Sequence, residues 1–230
     1  IHLGKETTMQ NGLSTRSIGG LIMGHGNDDG LTLPPEIAPI QLVIVSIPGS
    51  LKAAEFANKI AKLLSGVRLQ VDSREGETAG FKFNKWELKG VPVRIEVGEK
   101  EAAENMVTLV RRDTSEKNQV STDGLVTKIK FLLKAIQGNL FEKHKQFTLD
   151  NTHEVSSYDE FKEIMAGKRG FISAFWCENP ECEKKIKEET KATTRCLPVD
   201  LKTGLPKEGK GKCVYCDGSC VHRWLFAQAY

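Results

Sequence analysis

All six cysteines of this 230-residue chain lie after residue 176, and four of them form two close pairs, Cys177-x4-Cys182 and Cys213-x2-Cys216. Two short pairs joined by a long loop are the sequence form of a tetrahedral zinc site made of four thiolates. Each pair wraps one edge of the metal and holds its thiolates about 2.3 Å from it. Cysteines confined to one end favour a metal site in a reducing compartment over a disulfide framework spread through a secreted fold, so a cytoplasmic location is expected. Lys184, Lys185, Lys210 and Lys212 are placed to offset part of the thiolate charge. Cys196, between Arg195 and Leu197, reads as a buried small hydrophobe, and Cys220 as a competitor of Cys216 for the metal.

Composition narrows the remainder. With 39% hydrophobic and 27% charged residues the chain is too apolar for disorder, and its length allows one to three domains. A formal charge of +3 excludes a histone-like polycation and an acidic tail, so any nucleic-acid surface is local. The strongest apolar run, Leu42 to Ile47, has strand length and is bounded by Pro39 and Pro48, well short of the roughly 20 residues of a membrane helix. No glycosylation sequon and no signal-peptide pattern is found, and no membrane role is expected. The start at Ile1, with no domain entrance before Gly12–Arg16, leads us to expect the tail of a larger protein.

Hydrophobic spacing divides the chain in three. Ile18, Leu21 and Ile22 predict a helix after Arg16, packed closely through Gly19 and Gly20, followed by a polar turn at 25–30 and a proline-stiffened boundary at 33–39. The pattern then predicts a strand at 40–47, a helix at 51–64, a strand at 67–71, a helix at 80–89, strands at 91–97 and 107–111, and a helix at about 121–140. This alternation makes a three-layer α/β domain with a mixed, largely parallel sheet. From about Phe147 a smaller α+β unit begins, with a polar linker at 150–157, a helix at 158–166 and a strand at 170–176. Its large apolar residues are few, among them Ile186, Leu197, Val199, Trp224, Leu225 and Phe226, so a metal staple is expected to support a thin core.

The runs Gly12-Leu13-Ser14-Thr15-Arg16-Ser17-Ile18-Gly19, Met23-Gly24-His25-Gly26 and Lys82-Phe83-Asn84-Lys85-Trp86-Glu87-Leu88-Lys89-Gly90-Val91-Pro92 resemble prolyl-tRNA synthetases of the archaeal and eukaryotic type. Asp72-Ser73-Arg74, Leu109-Val110-Arg111-Arg112-Asp113, Arg195-Cys196 and the terminal Phe226-Ala227-Gln228-Ala229-Tyr230 extend the resemblance over nearly the whole chain. Asn11 departs from the pattern, standing where the family usually has tryptophan.

The resemblance implies three domains: residues 1–37 finishing a class II catalytic domain with its third motif, 38–146 an anticodon-binding domain and 147–230 a zinc-binding C-terminal domain. Arg16 matches the ATP-binding arginine of that motif, a role suited to a fixed charge and planar fork. His25 matches a histidine near the amino-acid pocket, and Tyr230 a terminal tyrosine that reaches toward it. Proline anticodons end in two guanines, which offer donors at N1 and N2 and acceptors at O6 and N7, so their reader combines an acid with bases. Glu87, Arg94, Lys100 and Lys117 match such readers, while Lys82, Lys85, Arg111 and Arg112 are candidates for phosphate contacts. The implied enzyme activates proline with ATP and Mg2+ and transfers it to tRNA-Pro, as a homodimer joined through its catalytic portion. Motifs one and two are missing from these residues, which alone are not expected to be active. The competing reading is a non-catalytic RNA-binding or scaffold module derived from a synthetase. Gly19-Gly20 and Gly24-x-Gly26 do not have dinucleotide-loop spacing, and no strand precedes them.

Overall fold

The computed structural model describes residues 15–228, which fall into two compact units divided between Glu142 and Lys143. The expectations for Gly12–Ser14, for Asn11 and for Tyr230 lie outside the described residues.

In the first unit, α1 (Arg16–His25) leads into a two-stranded hairpin, β1 (Gly26–Asn27) and β2 (Gly30–Leu31). Then follow β3 (Leu42–Ser46), α2 (Leu51–Leu63), β4 (Leu69–Asp72), α3 (Ala79–Leu88), β5 (Val93–Val97), α4 (Glu99–Glu104), β6 (Met106–Arg111), β7 (Lys117–Ser121) and α5 (Leu125–Asp150). The last helix runs past the division and ten residues beyond the expected end near Leu140. Helix starts follow local chemistry: Ser50 Oγ accepts from the Ala53 N–H at 3.2 Å, and Thr78 Oγ1 from the Phe81 N–H at 3.3 Å.

The sheet order is β4-β3-β5-β6-β7, parallel at β4/β3/β5 and antiparallel from β5 onward. It is therefore a mixed sheet, half rather than largely parallel. Alternation sorts its faces. Leu42, Ile44, Val93, Ile95 and Val97 pack against α2 and α5, burying Phe56, Ile60, Ile129 and Ile136. Val43 and Val45 turn the other way, onto Trp86 of α3 and Val91. Three layers result, helices on both sides of the sheet.

The proline-rich stretch is packed down. Leu33, Pro34, Pro35 and Ala38 are buried, and the Arg68 guanidinium donates to the carbonyls of Pro35, Glu36 and Ala38 at 2.9–3.0 Å. Close packing through Gly19 and Gly20 is not observed: among the described residues nothing lies within 4 Å of a Cβ built at either.

The second unit contains β8 (Thr152–Glu154), α6 (Tyr158–Ala166), β9 (Phe171–Phe175), α7 (Pro180–Thr190), β10 (Ala192–Cys196), β11 (Glu208–Lys212) and β12 (Ser219–Gln228). Its sheet runs β10-β12-β9-β8, with β11 also paired to β12 and only β8/β9 parallel. The stretch expected as a linker thus contains an edge strand. The core is aromatic: Phe161 meets Phe226 edge-on at 5.4 Å, and Trp176 meets Trp224 at 5.3 Å. Val199, expected to contribute, is 45% exposed.

Candidate base-reading cluster and metal centre

In the second unit, β9 ends at Phe175, two residues before Cys177, and Cys182 sits in the first turn of α7, whose N-cap Asn179 accepts from the Glu181 N–H at 2.9 Å. From the other side, Cys213 and Cys216 occupy the tight turn between β11 and β12. There the Asp217 N–H donates to the Cys213 carbonyl at 3.0 Å and the Cys213 N–H to the Gly218 carbonyl at 2.7 Å. Asp217 takes the left-handed conformation that closes the turn. All four sulfurs lie within 4.8 Å of one another, with Cys177 Sγ 3.5 Å from Cys182 Sγ and 3.7 Å from Cys216 Sγ. A regular tetrahedron with arms of about 2.3 Å has edges of about 3.8 Å, so both the soft donor set and its spacing fit a tetrahedral thiolate metal.

Burial opposes ionisation of Cys213, but backbone N–H groups of Cys216, Tyr215 and Cys177 outweigh it and bring the thiol down to about 7. Burial raises Cys177 and Cys182. Cys220 is pushed up to about 12, mainly by burial, and its thiol donates to the Gly218 carbonyl at 3.2 Å. It stands outside the set of four sulfurs that lie within 4.8 Å of one another. Cys196 is exposed, contrary to its reading as a buried hydrophobe, because it closes a strand on the sheet's rim where the pairing with β12 shifts register.

In the first unit the pairing register aligns Arg94 of β5 with Val110 of β6 and Lys117 of β7 in one transverse row, on the face that carries α3. Glu96, two residues along β5, shares that face. Arg94 Nη1 donates to Glu87 Oε1 at 2.6 Å, and its Nε and Nη2 donate to Glu96 Oε1 at 3.0 and 2.8 Å. The guanidinium lies 4.4 Å over the Phe83 ring, and Lys117 Nζ is 3.5 Å from Glu96 Oε1. The Arg94 side chain is 7% exposed and that of Glu87 38%, so the pair presents a carboxylate to solvent with a fixed cation behind it. A cleft of about 170 Å³ opens here, lined by Glu87, Arg94, Trp86, Arg111, Arg112 and Asp29.

Glu87, Arg94 and Lys117 are therefore brought together, while Lys100 stands apart, exposed in the first turn of α4. Sequence reasoning missed Glu96 and Phe83; the Arg94-x-Glu96 spacing on a strand was the available signal for the first. Among the phosphate candidates, Lys82 is overturned. Its side chain is fully buried in α3 and Nζ donates to the Ser46 carbonyl at 3.1 Å, out of reach of any backbone phosphate. Arg111 is held by the Asp113 carboxylate at 2.7 and 3.0 Å, and Arg112 is buried as well.

Arg16 is exposed at the head of α1, and His25 is half-buried at its other end, about 13 Å away along the axis. The His25 carbonyl accepts from the Thr32 N–H at 2.7 Å, closing the hairpin behind it. Among the described residues no helix is long and apolar enough to cross a membrane.

Comparison with known proteins matches residues 41–132 to the family described as anticodon binding domain and residues 158–230 to that described as prolyl-tRNA synthetase, C-terminal. The proline–tRNA ligase of Natranaerobius thermophilus is 44% identical over 209 residues, covering 89% of this chain and 42% of the relative. Proline–tRNA ligase 2 of Clostridioides difficile is 46% identical over 223 residues, covering 95% and 45%. A crystal structure of prolyl-tRNA synthetase from Cryptosporidium parvum, complexed with L-proline and AMP, matches with a TM-score of 0.85 at 34% identity over 94% of this chain and 46% of that one. The chain spans a little under half the length of these relatives. The chain thus matches an anticodon-binding domain followed by a prolyl-tRNA synthetase C-terminal domain, and over 89–95% of its length it is similar to proteins named proline–tRNA ligase.

Proposed function

We propose that the chain is the C-terminal portion of a prolyl-tRNA synthetase of the archaeal and eukaryotic type, which activates proline with ATP and Mg2+ and transfers it to tRNA-Pro. The observation that carries this reading is the Glu87–Arg94 pair, 2.6 Å apart at the mouth of a polar cleft in an anticodon-binding domain. Its carboxylate has the acceptors for guanine N1–H and N2–H, and Arg94 retains donors beyond the three committed to Glu87 and Glu96 for O6 or N7. Lys117 stands beside them, and Lys100 adds a further RNA contact from α4.

Residues 1–37 finish the catalytic domain in this reading, and 38–146 and 147–230 are the anticodon-binding and zinc-binding domains. Arg16 binds ATP, its exposed fork available for adenine and phosphate. His25 and Tyr230 belong to the amino-acid pocket. The working enzyme is a cytoplasmic homodimer. Cys177, Cys182, Cys213 and Cys216 hold one structural Zn2+, which supplies folding energy and leaves no open position for water or substrate.

The test is aminoacylation of tRNA-Pro by the chain joined to the catalytic portion found in its relatives. Glu87→Ala and Arg94→Ala should each lower the efficiency by about 1–3 kcal/mol in transition-state terms, with proline activation in the absence of tRNA unchanged. Unchanged aminoacylation by both variants rejects the base-reading assignment. Absence of zinc by elemental analysis in protein purified without chelators rejects the metal.

A further inference from the structure

Arg112 follows β6 and is 8% exposed, yet among the described residues both of its side-chain hydrogen bonds go to uncharged oxygens. Its Nη2 donates to Asn27 Oδ1 at 2.8 Å, across 85 residues of sequence, and its Nε donates to the Glu87 carbonyl at 3.3 Å. One guanidinium thus ties the β1–β2 hairpin to the last turn of the helix that carries the base-reading carboxylate. The backbones are seated just as closely. A Cβ at Gly30 would come within 2.5 Å of Leu88 Cα, and one at Gly90 within 2.6 Å of Leu31 Cβ, both glycines lying at positive φ. Asn27 Oδ1 also accepts from the Asp29 N–H at 3.1 Å, and Asp29 lines the cleft with Glu87 and Arg94.

We infer that Arg112 is a positioning residue for base discrimination, making the hairpin a working part of the guanine-reading site. This rests on the reading of Glu87 and Arg94 given above. The carbonyls of a helix's last turn have no partner within the helix. That of Glu87 is fixed by the Gly90 N–H at 2.9 Å and by Arg112. Fixing the carbonyl fixes the direction in which the Glu87 side chain leaves the backbone, and so the aim of the carboxylate beside Arg94. Two-point recognition of guanine N1–H and N2–H tolerates little error in that aim, whereas attraction to phosphates tolerates much.

Inosine, which lacks the exocyclic amine of guanine, separates the two contributions. The 230-residue chain is titrated with a hairpin RNA bearing a proline anticodon loop, and with the same hairpin carrying inosine at each of the two terminal anticodon positions. The wild-type chain should prefer guanine by roughly tenfold at the position read by Glu87. Arg112→Gln and Asn27→Ala should each bring that ratio toward one while retaining most of the affinity for the inosine hairpin. Asn27 is exposed, so its variant should melt with the wild type and decides the matter if Arg112→Gln does not fold. The inference is overturned if the folded variants keep the wild-type ratio, or if they lose affinity for both hairpins equally. Glu87→Ala separates the layers. If it abolishes the preference while Asn27→Ala does not, only the role of the hairpin falls; if it leaves the preference intact, base reading by Glu87 falls and this inference with it.

Discussion

In the first unit, residues of the sheet and of α2 and α5 bury one another without help: Leu42, Ile44, Ile60, Val93, Ile95, Ile129 and Ile136 are all inaccessible to solvent. In the second, the buried residues include Cys182, Cys213 and Cys220, and the aromatic contacts around Phe226 and Trp176 adjoin the sulfur cluster. The first core is an aliphatic continuum in which stability is spread over many side chains. The second concentrates it in a few points, one of them a set of four thiols spaced to hold a metal ion, which on the reading proposed above stabilises the unit only when that ion is present. The contrast teaches where each unit can be broken: the first by removing volume, the second by removing a charge partner that is not part of the polypeptide.

The largest expected effect follows from that. Chelation of the ion, or Cys213→Ser, should remove on the order of 5 kcal/mol or more from residues 143–230. Hydrogen exchange followed by peptide should show protection lost there and retained in β3, β5 and α5 up to Glu142. Equal loss in both regions would break the comparison.

Next comes Ile95→Ala, at the centre of the aliphatic core, with an expected loss of about 3–4 kcal/mol from cavity formation. Chemical denaturation should show it in the first unit, with no change in metal content.

A smaller effect is electrostatic. The two hydrogen bonds from the Arg74 guanidinium hold the Asp72 carboxyl down at about 2, against a burial penalty and with help from the Trp86 indole N–H at 2.7 Å and the Arg74 backbone N–H. A carboxylate depressed in the folded state stabilises it above its unfolded value of 3.8, and that contribution is lost as pH falls through about 2. Acid titration of unfolding should therefore show about 2 kcal/mol disappearing over this window, and Asp72→Asn should flatten the curve. The smallest effect belongs to Lys82. Replacing this buried cation by Met trades one hydrogen bond for a relieved desolvation penalty, and stability should change by no more than about 1 kcal/mol. RNA affinity should not change, which separates Lys82 from the surface lysines.

The core strands and the cysteine pairs were legible because each rests on a strong local pattern, a run of β-branched residues at 43–45 or a fixed spacing of thiols. What escaped was set by tertiary contact. Helix α4 is six residues of charge and alanine with no apolar stripe to mark it, and β7 is a polar edge strand that pairs on one side only. The burial of Lys82 and the exposure of Cys196 both reverse what their side chains suggest. A lysine's stem packs like a hydrophobe when its amine finds a carbonyl, and a cysteine at a sheet rim has nothing to cover it. Arg94 and Lys117 were legible only through resemblance, since 22 intervening residues separate them and only the sheet register aligns them.

The exposure of Cys196 has a practical corollary for chemistry at sulfur. With the proposed ion held by the four clustered cysteines, and Cys220 buried and reluctant to ionise, a single sulfhydryl remains open to an alkylating reagent at neutral pH. Intact-mass measurement should then find one adduct on loaded protein and up to five more after chelation, since loss of the ion opens the unit and Cys220 with it. The number of adducts becomes a gauge of metal occupancy, and Cys196 a ready attachment point for a fluorophore on the rim of β10.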